Sequence, residues 1–74
     1  MIIRDIQEVD LKDVLRMEKE NFPDPWPKES FIYDMNNEVA DVKVLDNDGQ
    51  VIGYYVVKIS PSVFIHLPDV LSIL

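Results

Sequence analysis

The fold is decided by residues 40–59, which read ADVKVLDNDGQVIGYYVVKI. Apolar and charged side chains alternate over Ala40 to Leu45, and this period of two is typical of a strand with one buried face. Residues 46–49, Asp-Asn-Asp-Gly, tolerate positive φ and predict a turn. Gln50 to Ile59 is rich in β-branched and aromatic residues, which predicts a second strand. The stretch therefore predicts a β-hairpin, in which Gly53 marks a bulge or a close approach of backbone.

Two helices are predicted before the hairpin. Over residues 10–21 apolar side chains recur three and four positions apart, as on one face of a helix. The Asp10 side chain can accept a hydrogen bond from the free backbone N–H groups at the start of this helix. Three prolines within residues 23–27 end this helix, because proline has no N–H and a fixed φ. Pro27 suits the first position of a second helix, predicted over Lys28 to Asn36.

Further strands are predicted on both sides of these elements. Ile2, Ile3 and Ile6 form a β-prone opening, and Val63 to Leu67 is a candidate last strand. The order β-α-α-β-β, with this candidate strand at its end, predicts a single α+β domain over residues 1–74. Such a domain has an antiparallel sheet with two helices packed on it. Strand alternation predicts Tyr54 and Tyr55 on opposite faces of the sheet, one of them under the helices.

Composition restricts the classes of function. Fourteen acidic residues face seven basic ones, and the net charge of −7 argues against nucleic acid or an anionic membrane as partner. A solvated acidic surface is the simplest reading of this charge, and a basic substrate or partner is the alternative. No cysteine and a single histidine argue against a disulfide framework and a metal site. Because the sequence has neither a bilayer-length apolar run nor a signal peptide, a cytoplasmic protein is expected.

Three segments resemble the start of the GNAT acetyltransferases, in particular the branch that acetylates the N-terminal alanine of a ribosomal protein. Residues 2–5 with 10–15 resemble the first strand and helix, residues 18–26 the loop between the first two helices, and residues 49–54 the start of the third strand. The likeness covers residues 2–59, and Phe-Pro-Asp-Pro-Trp at 22–26 is its most specific part. It implies the fold of the N-terminal half of a GNAT domain.

The sequence departs from the family pattern at two places. Pro27 stands where the family usually has a serine that caps the second helix, so this helix is expected to start without a side-chain cap. Family members continue into a glycine-rich turn that holds the pyrophosphate of acetyl-coenzyme A, and their catalytic base and acid lie on later elements. The two glycines here, Gly49 and Gly53, both lie in the predicted hairpin. The resemblance thus implies a truncated domain with no cofactor site and no catalytic residue.

The loop from Phe22 to Trp26 is the main candidate for a binding site. In the N-terminal acetyltransferases this loop contacts the first residues of the substrate. The resemblance therefore implies substrate-binding roles for Phe22, Pro23, Asp24 and Trp26. The simpler alternative is that both aromatic side chains pin the loop onto the sheet as part of the core, since a small domain needs every large side chain.

Two titratable side chains are weaker candidates for chemistry. Glu18 is the only acidic residue on the apolar face of the first helix, and we expect it at the rim of the core. His66 could be a general base, but no nucleophile is visible beside it, so a solvent-facing or capped histidine is expected. No serine lies in a nucleophile motif. No catalytic residue is therefore predicted.

Three functions remain open. The first is a GNAT-like domain without the acetyl-coenzyme A half, non-catalytic alone, that binds a polypeptide N-terminus or another partner. The second is N-acetyltransferase activity toward a protein N-terminus or amine, completed by another chain that supplies the cofactor site. The third is a small acidic dimerisation or interaction module.

The end of the chain predicts self-association. After Ile59 the only charged side chain is Asp69, and the tail is apolar at Leu67, Val70, Leu71, Ile73 and Leu74. An unpaired edge strand offers free N–H and C=O groups to another strand. We therefore expect a homodimer through the C-terminal strand and tail, by edge pairing or by exchange of the tail.

Overall fold

The computed structural model describes residues 1–59 and 63–68. Its strands are β1 (Ile2–Asp5), β2 (Ala40–Asn47), β3 (Gln50–Ile59) and β4 (Val63–His66), its helices are α1 (Leu11–Asn21) and α2 (Lys28–Met35), and a 3-10 turn (Glu8–Asp10) precedes α1. The strands form one antiparallel sheet in the order β1-β2-β3-β4. The predicted α+β class and order of elements are confirmed. β4 corresponds to the last strand predicted over Val63 to Leu67.

Part of the predicted C-terminal region cannot be compared with the structure. The apolar tail from residue 69 onward and the serines at 60, 62 and 72 lie outside the described residues. None of the helices among the described residues combines the length and the hydropathy needed to cross a membrane.

The β2–β3 hairpin turns at Asp48 and Gly49, whose φ angles are 53° and 88°. Positive φ at both central residues gives a two-residue turn the twist that suits the flanking strands. The Oδ1 atom of Asp46 accepts a hydrogen bond from the Gly49 N–H at 2.7 Å and closes the turn. The turn is thus shorter than the four residues predicted, because Asp46 and Asn47 still belong to β2.

A bulge interrupts the hairpin beside Gly53, as the sequence predicts. Leu45 faces Gly53, but Asp46 faces Val51, so Ile52 is an extra residue on β3. The extra residue shifts the alternation of side chains by one position. Val51 therefore joins the core, whereas Ile52 is exposed.

Both helices pack on one face of the sheet. The core comprises Ile6, Leu11, Val14, Met17, Phe31, Val42, Val44, Val51, Tyr54 and Val56. Val14 from α1 and Phe31 from α2 are completely buried. Tyr54 is buried in this core and Tyr55 is only partly so, which confirms their predicted separation onto two faces.

The starts of the two helices differ from the prediction in detail. The Asp10 side chain does not cap α1. Its carboxylate instead accepts hydrogen bonds from the Arg4 guanidinium at 2.8 and 3.0 Å and from the Gln7 N–H at 2.8 Å, because a cation in β1 lies within reach. Pro27 lies just before α2 and not at its first position, since its ψ of 164° is extended. As expected from the missing serine, α2 has no side-chain cap.

Candidate functional site

The carboxylate of Glu18, on α1, lies beneath the loop that joins the helices and is 0% exposed. Its Oε1 atom accepts a hydrogen bond from the Trp26 backbone N–H at 3.0 Å, and its Oε2 atom accepts one from the Tyr54 hydroxyl. The Nε2 atom of His66 lies 3.0 Å from both oxygens. A buried carboxylate is stable only when it is paired and hydrogen-bonded, and these three donors meet that requirement.

Glu18 is therefore not the rim group that the sequence predicts. The prediction is wrong because an acidic residue on an apolar helix face can be buried when other elements supply hydrogen-bond donors. Those donors come from the loop, from β3 and from β4. The arrangement makes one buried charge the common attachment point of four segments of the chain.

The imidazole of His66 is held between two aromatic rings. Its centroid lies 4.5 Å from that of Phe22 and 3.7 Å from that of Trp26, with planes within 21° and 13° of parallel. The side chain is 11% exposed, so of the two predicted alternatives the solvent-facing histidine is wrong, whereas the capped histidine agrees with the contact to Glu18. Strand alternation places His66 and the exposed Ile65 on opposite faces of the sheet. His66 lies on the face under the helices, where the Glu18 carboxylate accepts a hydrogen bond.

The Phe22–Trp26 loop divides into a buried and an exposed part. Phe22 and Trp26 are half-buried, and Trp26 also packs on Phe31, with ring centroids 5.7 Å apart. Pro23 and Asp24 are exposed to solvent. Of the four predicted substrate-binding residues, the aromatic pair thus converges on His66, and the other two form the surface of the loop. Their role in binding stays a prediction.

A second buried carboxylate is not predicted by the sequence. Asp34, on α2, is 1% exposed, and its Oδ2 atom lies 3.1 Å from Nζ of Lys58 in an ion pair that lacks hydrogen-bond geometry. The ammonium also lies 5.0 Å from the centre of the Trp26 ring, within the range of a cation–π contact. A signal was present: Asp34 follows Phe31 by three positions, which places both on one face of the helix.

A separate ion-pair network fixes β1 to the hairpin. Arg4 lies between Asp10 and Asp46, with Nε 2.9 Å from the Asp46 carboxylate. Hydrogen bonds from the guanidinium hold the pKa values of both carboxyl groups below their ordinary range, and the two carboxylates raise the pKa of Arg4. We use the name Glu18 cluster for Glu18, Tyr54, Trp26 and His66 together. The Arg4 network lies at the β1 edge and shares no residue with this cluster.

The Glu18 cluster holds the loop and β3 against α1 by hydrogen bonds. Burial raises the pKa of the Tyr54 phenol, and its hydrogen bond to Glu18 raises it further, so this hydroxyl donates a hydrogen bond at neutral pH. Within residues 1–59 and 63–68, no three His, Cys, Asp or Glu side chains are placed to hold a metal ion together.

Comparison with known proteins identifies no relative of this chain. No family model matches it, and neither a curated protein nor a solved structure does. The GNAT relationship therefore rests on the sequence segments quoted above and stays a prediction.

Proposed function

We propose that these residues form a GNAT-related domain that binds the N-terminus of a polypeptide on the Phe22–Trp26 loop and does not transfer acetyl groups by itself. The order β-α-α-β-β-β agrees with the N-terminal half of the family that the sequence resembles. In that family the loop between the first two helices contacts the substrate. The proposal assigns the same contact to the exposed surface of the loop here.

The observation that carries the proposal is the attachment of the loop to one residue. The Phe22 N–H donates to the backbone carbonyl of Glu18 at 3.0 Å, and the Trp26 N–H donates to its side chain at 3.0 Å. Prolines between these points restrict the backbone further. A loop that is already ordered loses little conformational entropy when a ligand binds, so more of the contact energy appears as affinity.

The exposed tip of the loop carries the charge that a peptide N-terminus requires. Asp24 is exposed and forms no ion pair with another residue of the described part of the chain. An α-ammonium group is a cation, and the net charge of −7 favours its approach. We assign Asp24 to the ammonium group and the exposed Pro23 to the first side chain of the peptide.

Binding without catalysis follows from the position of the glycines. Acetyl-coenzyme A is held in this family by a glycine-rich turn at a helix N-terminus. In these 74 residues Gly49 forms the hairpin turn and Gly53 lies in β3, and neither precedes a helix. Acetyl transfer would therefore require a cofactor site from outside these 74 residues.

The test is a calorimetric titration with a hexapeptide that begins with alanine. We expect binding of the peptide with a free α-amino group and at least tenfold weaker binding of the same peptide after Nα-acetylation. Asp24→Asn should weaken binding of the free peptide about two- to fivefold, the range of an exposed ion pair. The matched control is Asp48→Asn, which removes the same charge from the hairpin turn and should leave the affinity unchanged.

Two results would overturn the proposal. Equal affinity for the free and acetylated peptides would show that the α-ammonium group is not recognised, and a lack of heat with either peptide at millimolar concentration would exclude the site. A parallel titration with acetyl-coenzyme A should give no heat. Binding of that cofactor at micromolar concentration would instead support an acetyltransferase.

A further inference from the structure

The two edges of the sheet differ in charge. At the β1 edge Arg4 pairs with Asp10 and Asp46, and Asp5 pairs with Lys43. The β4 edge reads Val-Phe-Ile-His, and its histidine is turned inward onto the Glu18 cluster. Charged side chains on an edge strand oppose pairing with another chain. Within residues 1–59 and 63–68, the β1 edge has this protection and the β4 edge does not.

Exposed apolar side chains surround the β4 edge. Val63 and Ile65 are 64% and 57% exposed, and Ile59 is exposed next to them, since it pairs with Val63. Phe64 is 48% exposed on the other side of the strand, where its ring stacks near that of Trp26. We call Ile59, Val63, Phe64 and Ile65 the β4 patch. Three of these residues, Ile59, Val63 and Ile65, share one face of the sheet. Exposed apolar side chains grouped in this way are typical of an interface.

We infer that the β4 patch pairs with the same patch of a second copy of the chain, in a two-fold antiparallel dimer that joins the two sheets. A two-fold interface requires a self-complementary surface. β4 meets this requirement, because antiparallel pairing of two copies sets the β-branched Val63 and Ile65 against the same residues of the partner. The outward N–H and C=O groups of β4, which pair with no other strand of the described part of the chain, then bond to those of the partner.

The distribution of charge selects a second copy as the occupant. Among the described residues the nearest charged side chain is that of Lys58 on the neighbouring strand β3, and its ammonium is turned toward Asp34 on the helix side, 3.1 Å away. A charged foreign strand would therefore find no unpaired opposite charge at the described β4 edge, whereas a second copy presents an edge that is equally uncharged. Asp41 and Ile65 both pair with Val57, so this carboxylate is two strands, about 10 Å, from β4. Repulsion over that distance is largely screened at physiological salt, where the Debye length is about 8 Å. The net charge of −7 therefore does not prevent association at this edge.

The experiment compares two lysine substitutions by sedimentation equilibrium from 1 to 200 µM. The unchanged chain should pass from monomer to dimer over this range. Ile65→Lys should weaken dimerisation at least tenfold, because each copy would bring an ammonium group among the apolar side chains of the interface. Ile3→Lys is the matched control. Ile3 is an isoleucine of similar exposure, 58%, on the same face of the sheet but on β1, so this variant should dimerise normally.

Hydrogen exchange provides an independent measurement on the unchanged chain. The amides of Val63–His66 should exchange more slowly at 200 µM than at 2 µM, while those of Ile2–Asp5 should exchange at the same rate. A monomer at 200 µM would overturn the inference, and so would a dimer in which both lysine variants behave alike. Concentration-dependent protection confined to β1 would also overturn it, since it would assign the interface to the other edge.

Discussion

The Nε2 atom of His66 lies 3.0 Å from both carboxylate oxygens of Glu18, although 48 positions separate the two residues in the sequence. The same carboxylate accepts hydrogen bonds from Tyr54 and from the backbone of Trp26. A single side chain of α1 thus connects this helix to the loop, to β3 and to β4. The stability of the domain should depend on Glu18 more than on any surface ion pair.

Replacing Glu18 by glutamine should destabilise the fold by about 3 kcal/mol. The amide keeps the shape of the side chain, but it removes the charge and brings an NH₂ donor against groups that are themselves donors. Urea unfolding followed by circular dichroism measures this difference. The matched control is Glu20→Gln on the exposed side of α1, where Glu20 pairs with Arg16 and where the change should lie within experimental error.

A double-mutant cycle measures how much of the stability lost in Glu18→Gln comes from the contact of Glu18 with His66. Glu18→Gln and His66→Asn, alone and together, should give a coupling energy of about 1–3 kcal/mol, because the two side chains contact each other directly. Additive effects would show that the contact contributes nothing beyond packing. Equal stability of Glu18→Gln and Glu20→Gln would contradict the role assigned to the buried carboxylate.

Tyr54→Phe should destabilise the fold at neutral pH by about 1.5–3 kcal/mol, the range of a hydrogen bond to a charged group. It should also reduce the loss of stability at alkaline pH. The folded state raises the pKa of the phenol above its ordinary value of 10.0. The stabilisation linked to this proton is therefore complete below pH 10 and is lost as the pH rises above it.

Urea midpoints between pH 7 and pH 11 measure both effects. Tyr33→Phe is the control, because this side chain is exposed on α2 and its removal should leave the curve unchanged. An identical alkaline slope in the unchanged chain and in Tyr54→Phe would be inconsistent with a raised pKa of Tyr54.

Asp10→Asn should make stability less dependent on acid pH. Arg4 lowers the pKa of Asp10 in the folded state below its ordinary value of 3.8. The stabilisation from this carboxylate is thus present above pH 3.8 and is lost as the pH falls through the lower folded value. Urea midpoints from pH 2.5 to pH 7 should fall less steeply in Asp10→Asn than in Asp48→Asn. Parallel curves for the two variants would contradict the pairing of Asp10 with Arg4.

Local patterns in the sequence predict most of the fold. Alternation over Ala40 to Leu45, turn residues at Asp48 and Gly49, and prolines after α1 each act within a few positions, so their effects can be predicted without knowing the rest of the molecule. Gly53 also marked the bulge correctly. The starts of the helices were predicted less accurately. The Asp10 carboxylate can accept hydrogen bonds either from the α1 N–H groups or from Arg4, and local sequence does not indicate which.

The site was predicted only in part, for a reason that applies to Glu18, His66 and Asp34 alike. Each is polar, and each lies mostly inside the fold next to a partner from a distant segment: His66 contacts Glu18, and Asp34 forms an ion pair with Lys58. Sequence spacing indicates which face of an element a side chain occupies, but it does not indicate which residue of another element lies opposite. The sequence named the aromatic residues of the loop as candidates, and their role in binding stays a prediction, whereas it did not indicate the carboxylate that fixes the loop.

The ring of Trp26 stacks on His66, lies under the ammonium of Lys58 and belongs to the loop proposed to bind peptide. It is the only tryptophan of the chain. The domain consequently carries an intrinsic fluorophore at the junction of its loop and its last described strand. Excitation of this single indole distinguishes events at that junction from unfolding of the β1 edge, with no label added.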